Sequence, residues 1–323
     1  MTRVLTGIQS TGVPHLGNLL GAILPAIKMT KNEDTESFLF IANLHSLTSI
    51  KDGDVLRENT YGVAAAWLAC GLNPEKTVFY RQSDVAEVTE LTWYLMCHFQ
   101  YQRLTLAHSF KDKAGRTEDV NAGLFNYPML MAADILMYDA NEIPVGKDQL
   151  QHIEMARDVA QRLNNSVGKD LLVLPEAVVQ EDVQIIPGTD GGKMSKSRNN
   201  YINIFLSDKE LRKQVMKIET DSTPMEEPKN PETCNVYKLY KLLGTQEQID
   251  ALASKYRGGN YGYGHAKQEL FELIVDTFKE ERNKFNYYIN NKEELDEILS
   301  IGAEKARKIA KETLQRIRKE IGY

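Results

Sequence analysis

The sequence predicts a doubly wound parallel α/β domain with a helical insertion, followed by an all-helical carboxyl-terminal domain. Three observations carry that prediction. Over the first two-thirds, short β-branched or aromatic runs alternate with helical patterns; between about 86 and 138 the pattern stays helical for longer than one crossover needs; beyond Phe205 the strand signals stop. Parallel strands need crossover connections, so this alternation implies a parallel sheet covered on both faces. The chain divides accordingly into residues 1–206 and 207–323.

The strand runs are RVLTGI (3–8), SFLFIANL (37–44), KTVFYRQ (76–82), EIPVG (142–146) and DVQIIP (182–187). Between the second and third, residues 54–70 form a helix that Gly71 closes and Pro74 follows, the usual order at a helix end. The insertion separates two halves of the sheet and is a natural place for a dimer contact. In the carboxyl-terminal third, helical periodicity covers 209–217, 236–243, 266–284, 292–299 and 303–321. The stretch YRGGNYGYGHAK (256–267) is either a flexible turn or a close helix approach.

With 323 residues, 42% of them hydrophobic and 8% aromatic, the chain can fill a sizeable core. Its start, MTRVLTGIQS, lacks the long apolar region of a secretory signal and reads as cytoplasmic. The longest mostly apolar stretch, GVAAAWLACGL (62–72), is too short to cross a bilayer. Cys70, Cys97 and Cys234 have no CxxC spacing and read as reduced, mostly buried thiols; no metal site is indicated. Net charge is −6, so nothing global advertises nucleic-acid binding. The tail is different: Lys305, Arg307, Lys308, Lys311, Arg316, Arg318 and Lys319 stand against three glutamates, locally +4. It is either a solvated helix face or an RNA-facing one.

Three stretches carry chemistry. In TGIQSTGVPHLGNLLGA (6–22) a strand ends in small residues and a helix begins near Gly17, where free N–H groups await an anion. The glycines at 7, 12, 17 and 21 fit neither GxGxxG nor GxxxxGK[ST]. His15 either donates a hydrogen bond to phosphate oxygens or merely caps the helix. In NYPMLMAADILMY (126–138), Tyr127, Met131, Asp134 and Tyr138 share one helix face. A carboxylate among apolar groups must be compensated, either by protein donors or by the single N–H or O–H of a ring-shaped ligand. In IPVGKDQLQHIEMARD (143–158), Gly146 gives a nucleotide access to the backbone, and Asp148 either caps the following helix or accepts a ribose hydroxyl. Gln149 and His152 lie one turn apart, the histidine reading as packed and satisfied. The loop DGGKMSKSRNN (190–200) adds lysines and hydroxyls on mobile glycines, a strap suited to a polyphosphate. Two strand ends and a helix face that together call for an anion, a ribose and an aromatic ligand make the domain Rossmann-like in the nucleotide-binding sense.

These motifs resemble the class I aminoacyl-tRNA synthetases. HLGN (15–18) resembles that family's HIGH signature and KMSKS (193–197) matches its second signature letter for letter. Over essentially the whole chain the likeness is to the tryptophan-specific branch of bacterial type, through GIQSTGVPHLGN, YPMLMAADIL, VGKDQLQHIE, KMSKS and YRGGNYGYG. Asn18 replaces the second histidine of HIGH, and His15 stands where many bacterial members carry Thr.

The resemblance implies that ATP is bound by Gln9, Ser10, Thr11, Gly17, Asn18, Gly146, Lys147, Asp148, Ile185 and the strap Lys193, Met194, Ser195, Lys196 and Ser197. It implies that Asp134 accepts an indole N–H, that Tyr127 and Met131 wall the ring with Gly7 and Val145 beside it, and that Gln149 holds the amino group. Lys193, Lys196, Lys113, His15 and Asn18 would be the catalytic set, acting with Mg²⁺. Tryptophan is read over tyrosine because related tyrosyl enzymes carry Gln where this chain has Met131. tRNA(Trp) would lie on the carboxyl-terminal helices and the enzyme would be a homodimer. Three other readings compete: a tyrosyl enzyme, a small-molecule nucleotidyltransferase, and an inactive RNA-binding relative.

Overall fold

The computed structural model describes residues 2–32, 34–107, 120–179 and 186–323. Its sheet has five parallel strands, β1 (Thr2–Ile8), β2 (Thr35–Ile41), β3 (Val78–Arg81), β4 (Glu142–Val145) and β5 (Glu176–Val179), in the order β3-β2-β1-β4-β5. The chain winds outward from β1 through β2 and β3, then returns to build the other half through β4 and β5. The winding direction therefore reverses between β1 and β4, where a ligand crevice forms outside the strand carboxyl ends. Gly7 pairs with Phe40, Ile8 with Ile41 and Val4 with Glu142.

The expected fifth strand at 182–187 is not the one found. β5 lies upstream at Glu176–Val179, residues 182–185 fall outside the described residues, and Pro187 makes only an isolated antiparallel bridge to Lys193. β5 pairs with β4 from Glu142–Glu176 to Val145–Val179.

Side-chain alternation puts a separate apolar cluster on each sheet face. Leu39, Ile41 and Phe79 join one, and Phe38, Phe40, Val78 and Tyr80 the other. Each such buried side chain contributes roughly 1.5–3 kcal/mol over exposure. Helices cover the faces: α1 (Leu16–Asn18) runs through a π turn (Leu19–Ile23) into α2 (Leu24–Met29), followed by α3 (Asn43–Ser46) and α4 (Gly53–Ala69). Asp52 caps α4 by accepting the Asp54 and Val55 amides, and Gly71 follows its end at φ +98°. The insertion contributes α5 (Glu87–His98), α6 (Tyr101–Leu104) and α7 (Ala122–Leu136); then α8 (Leu150–Val167) follows β4.

The carboxyl-terminal third is helical: α9 (Asp208–Met216), α10 (Asn235–Tyr240), α11 (Gln246–Gly258), α12 (Tyr263–Thr277), α13 (Lys279–Asn290) and α14 (Lys292–Ile321). The run expected at 266–284 is two helices, bent at buried Phe278, so that α12 packs on α9 while α13 packs on α4. The two helices expected at 292–299 and 303–321 are one. Gly302 does not break it; a Cβ there would stand 1.8 Å from the Phe79 carbonyl oxygen, so the glycine lets α14 press on β3. The glycine-tyrosine turn is a close approach. Gly259 and Asn260 take positive φ, and Asn260, Tyr261 and Lys229 exchange main-chain bonds with Glu226, Met225 and Tyr256.

Both apolar clusters draw on residues from each side of position 206; Ala306, Ala310, Leu314 and Ile317 of α14 complete the one that holds Phe38 and Tyr80. Three of the seven basic tail residues are paired, Arg307 with Glu87, Arg316 with Asp139 and Arg318 with Glu90, while Lys305, Lys308, Lys311 and Lys319 stay exposed. Of the cysteines only Cys234 is buried; Cys70 is half-buried and Cys97 exposed, so the thiols are not mostly buried as expected. No described helix is long and apolar enough to cross a membrane.

Candidate active site

The first strand ends at Gly7 and Ile8, and the chain then turns through Gln9 and Thr11, both exposed, to His15. His15 caps α1 reciprocally: its Nδ1 accepts the Asn18 amide at 3.2 Å, and Asn18 Oδ1 accepts the His15 amide at 3.2 Å. Capping and a phosphate role thus coexist, because the cap occupies Nδ1 and leaves the proton on Nε2. Burial, reinforced by the nearby Lys196 ammonium, pushes the imidazole down to about 4. His15 is therefore a neutral donor at pH 7. Asn18, its oxygen engaged, keeps its amide N–H groups for another acceptor.

The KMSKS strap sits on this turn. The Gly17 amide donates to Met194 Sδ at 3.2 Å, and Met194 is buried. Gly12 has φ +122°, and a Cβ on it would stand 3.1 Å from Lys196 Nζ, so Lys196 lies across Gly12 beside His15. Burial lowers the Lys196 ammonium to about 8. Met194 thus pins the strap while Lys196 reaches in. Lys193 is exposed, and no described contact brings its side chain to the turn. Ser195 and Ser197 hydroxyls lie 3.1 Å apart, and Ser195 also accepts the Arg198 amide.

A second set forms at the carboxyl ends of β2 and β3. Asp134 on α7 is 3% exposed and accepts His45 Nε2 at 2.8 Å and Gln82 Nε2 at 2.8 Å from both oxygens. Burial pushes this carboxyl above its ordinary range, opposed by those donors. Gln82 is oriented in turn because its Oε1 accepts the Leu44 amide. Tyr127 Oη and His152 Nε2 are hydrogen-bonded at 2.7 Å, and His152 is buried and packed as expected. Met131 is partly buried, Val145 nearly fully, and Gly7 is exposed with the Phe40 ring against it.

The two sets meet through neighbouring residues. Ser10 is fully buried and its hydroxyl donates to Ser46 Oγ at 3.1 Å, next to His45. That hydroxyl supports the turn from behind, its proton engaged by Ser46. Beyond β4, Gly146 precedes a 3₁₀ turn (Lys147–Gln149) whose Lys147 is exposed. Gln149 occupies the cap position of α8. Lys113, Ile185 and the Asp148 side chain lie outside the described residues.

Sequence reasoning missed His45, Gln82 and Asn200. The first two follow β2 and β3 directly, and the rule that placed ligands after β1 and β4 could have found them. Asn200 carries no signal beyond its nearness to KMSKS.

A doubly wound parallel sheet whose first strand ends in an HLGN turn, with a KMSKS strap seated on it, defines a class I aminoacyl-tRNA synthetase. The family model described as tRNA synthetases class I (W and Y) matches residues 1–279, and the chain belongs to that family. It is 48% identical over 320 residues, 99% of each chain, to the tryptophan–tRNA ligase of Campylobacter jejuni (strain RM1221). To that of Fusobacterium nucleatum subsp. nucleatum it is 45% identical, over 100% of this chain and 98% of the other. The crystal structure of tryptophanyl-tRNA synthetase from Campylobacter jejuni complexed with ADP and tryptophan superposes with a TM-score of 0.96 at 48% identity, both chains fully covered. The enzyme from Mycoplasma pneumoniae gives 0.79 at 28% identity, covering 100% and 98%.

Proposed function

We propose that this chain activates L-tryptophan with ATP, forming tryptophanyl-adenylate and pyrophosphate, then transfers tryptophan to the 3′ end of tRNA(Trp). The observation that carries this reading is the strap seated on the turn, with Lys196 across Gly12 and beside His15. A cation and a neutral donor thereby converge on the turn after β1; the amides of Leu16, Gly17 and Asn18 are engaged by Ile202, Met194 and His15, so the free N–H groups expected there are not what would hold phosphate.

In this reading a carboxylate oxygen of tryptophan attacks the α-phosphorus, the bond to the bridging oxygen breaks, and pyrophosphate leaves with the electron pair. The protein contributes position and charge. Lys196 meets the charge that spreads onto pyrophosphate, Lys193 and Lys113 add to it, and His15 donates through Nε2. Among the described residues no three His, Cys, Asp or Glu are grouped to hold a metal. Mg²⁺ is read as entering with the triphosphate, as part of that substrate, and no step here depends on a protein-held ion.

Asp134 supplies specificity. Its Oδ2 already receives two bonds while Oδ1 receives one, leaving a lone pair for an indole N–H. Phenylalanine lacks the donor and leaves a buried acceptor unfilled, which a site of this kind rejects strongly. Apolar Met131 disfavours tyrosine. The carboxyl-terminal helices hold tRNA(Trp), with the exposed tail lysines rather than the paired arginines facing phosphate. A homodimer is supported by exposed Trp93 and Tyr101 on the insertion, beside an apolar groove of about 400 Å³ lined by Leu44, Met96 and Leu130.

ATP–pyrophosphate exchange across the twenty amino acids tests the reading. Tryptophan alone should drive exchange; tyrosine matching it would sink the assignment.

A further inference from the structure

Residue 200 is 2% exposed inside a loop whose neighbours are mostly in solvent. Its amide Nδ2 donates to Asp190 Oδ1 at 2.6 Å and to the Lys193 carbonyl at 3.1 Å, and its Oδ1 accepts the Ser195 amide at 2.7 Å. Its own carbonyl accepts the Thr189 amide at 2.8 Å. Every hydrogen-bonding direction of the side chain but one lone pair is thus used across the strap, from 190 to 195. The chain is shaped to admit it. Asn199 takes φ +53°, a turn that asparagine tolerates better than most residues. A Cβ on Gly188 would fall 2.4 Å from Asn200 Nδ2, so only glycine fits there. Fixing the Lys193 carbonyl and the Ser195 amide fixes both ends of Met194, whose sulfur anchors the strap on Gly17.

We propose that Asn200 is the positioning residue of the strap: by bridging Asp190, Lys193 and Ser195 it holds Lys196 across Gly12 and beside His15. The inference rests on the adenylate-forming reading above. A strap displaced by about 1 Å should cost on the order of 100-fold in the chemical step.

Asn200→Asp tests it at nearly constant shape. The substitution sets a carboxylate against Asp190 and the Lys193 carbonyl; Arg198, beside Gly192 and Asp190, is a charged group acting on this contact. Two carboxylates so close share a proton readily, and the protonated form restores a donor. Tryptophan-dependent exchange should therefore fall about 100-fold in kcat at pH 7.5, with tryptophan affinity and unfolding midpoint near wild type, and recover several-fold by pH 6 while wild type does not rise. Asp190→Asn combined with Asn200→Asp, which returns a donor to the pair, should recover part of the loss at pH 7.5. A loss independent of pH and unrelieved by the double substitution, a parallel loss of tryptophan affinity or stability, or wild-type kcat would each overturn the proposal. Absence of exchange in the wild-type enzyme would instead strike the underlying function.

Discussion

Lys196 and His15 show how one contact sets two protonation states. Each is held down by burial, and the Lys196 charge lowers His15 further. At pH 7 the lysine keeps its proton and the histidine has none to spare, so the pair presents one cation and one neutral donor. Lys196→Ala should slow adenylate formation by about 100- to 1000-fold, the cost of removing a preorganised charge-stabilising group, with little change in tryptophan affinity. Exchange near the wild-type rate would reject that role. The sign of the pH effect follows from the lysine: it is cationic below its pKa and neutral above. The kcat/KM for ATP should therefore fall as pH rises through about 8. Bound phosphates favour the ammonium, so the corresponding limb in kcat should lie at higher pH. Lys196→Arg, always charged, should abolish the limb whatever it does to the rate. The motif made these residues legible. Their protonation states were not, because burial is a property of the packed turn.

At the scale of elements, one helix face and one glycine carry most of the information. Tyr127 and Asp134 are buried on the face of α7 that the spacing predicts, and Tyr138, buried as well, lies in the turn just past the helix end. What that spacing could not supply was the partner set, since His45 and Gln82 come from 89 and 52 residues away. Gly302 is the opposite case: periodicity broke there because glycine is a poor helix former, whereas the helix continues and the glycine serves a contact. Gly302→Ala would drive a methyl group into the Phe79 main chain, which cannot swing aside. It should destabilise the protein by about 1–3 kcal/mol, seen as a lower midpoint in denaturant. Gly264→Ala, where a Cβ meets nothing within 4 Å, is the control and should leave the midpoint unchanged or raise it. Equal midpoints for the two would refute the close-contact account.

For the whole molecule, α14 decides how far the chain can be cut. Its second half fills the same apolar cluster as Leu5, Phe38 and Tyr80, and its arginines pair with Glu87, Asp139 and Glu90. Exposed pairs of this kind contribute at most about 1 kcal/mol each and weaken with salt, so the apolar contacts dominate. A fragment of residues 1–206 should therefore fail to unfold cooperatively and should bind apolar dyes, whereas the full chain melts in a sharp transition. A soluble fragment with a cooperative transition and tryptophan-dependent exchange would show that the sheet folds without α14.

The sequence by itself determined the alternation that makes a parallel sheet, the helical third that follows it, and the two signatures at opposite ends of the catalytic half. These are local: periodicity, turn residues and short motifs need no distant partner to be read. Tertiary structure alone decided that residues 176–179 pair with β4, that α14 is unbroken and returns to the sheet, that His45 and Gln82 bond to Asp134, and that Asn200 bridges Asp190, Lys193 and Ser195. All but the last depend on a pairing across many residues of chain, and such a pairing exists only once the sheet has brought its ends together.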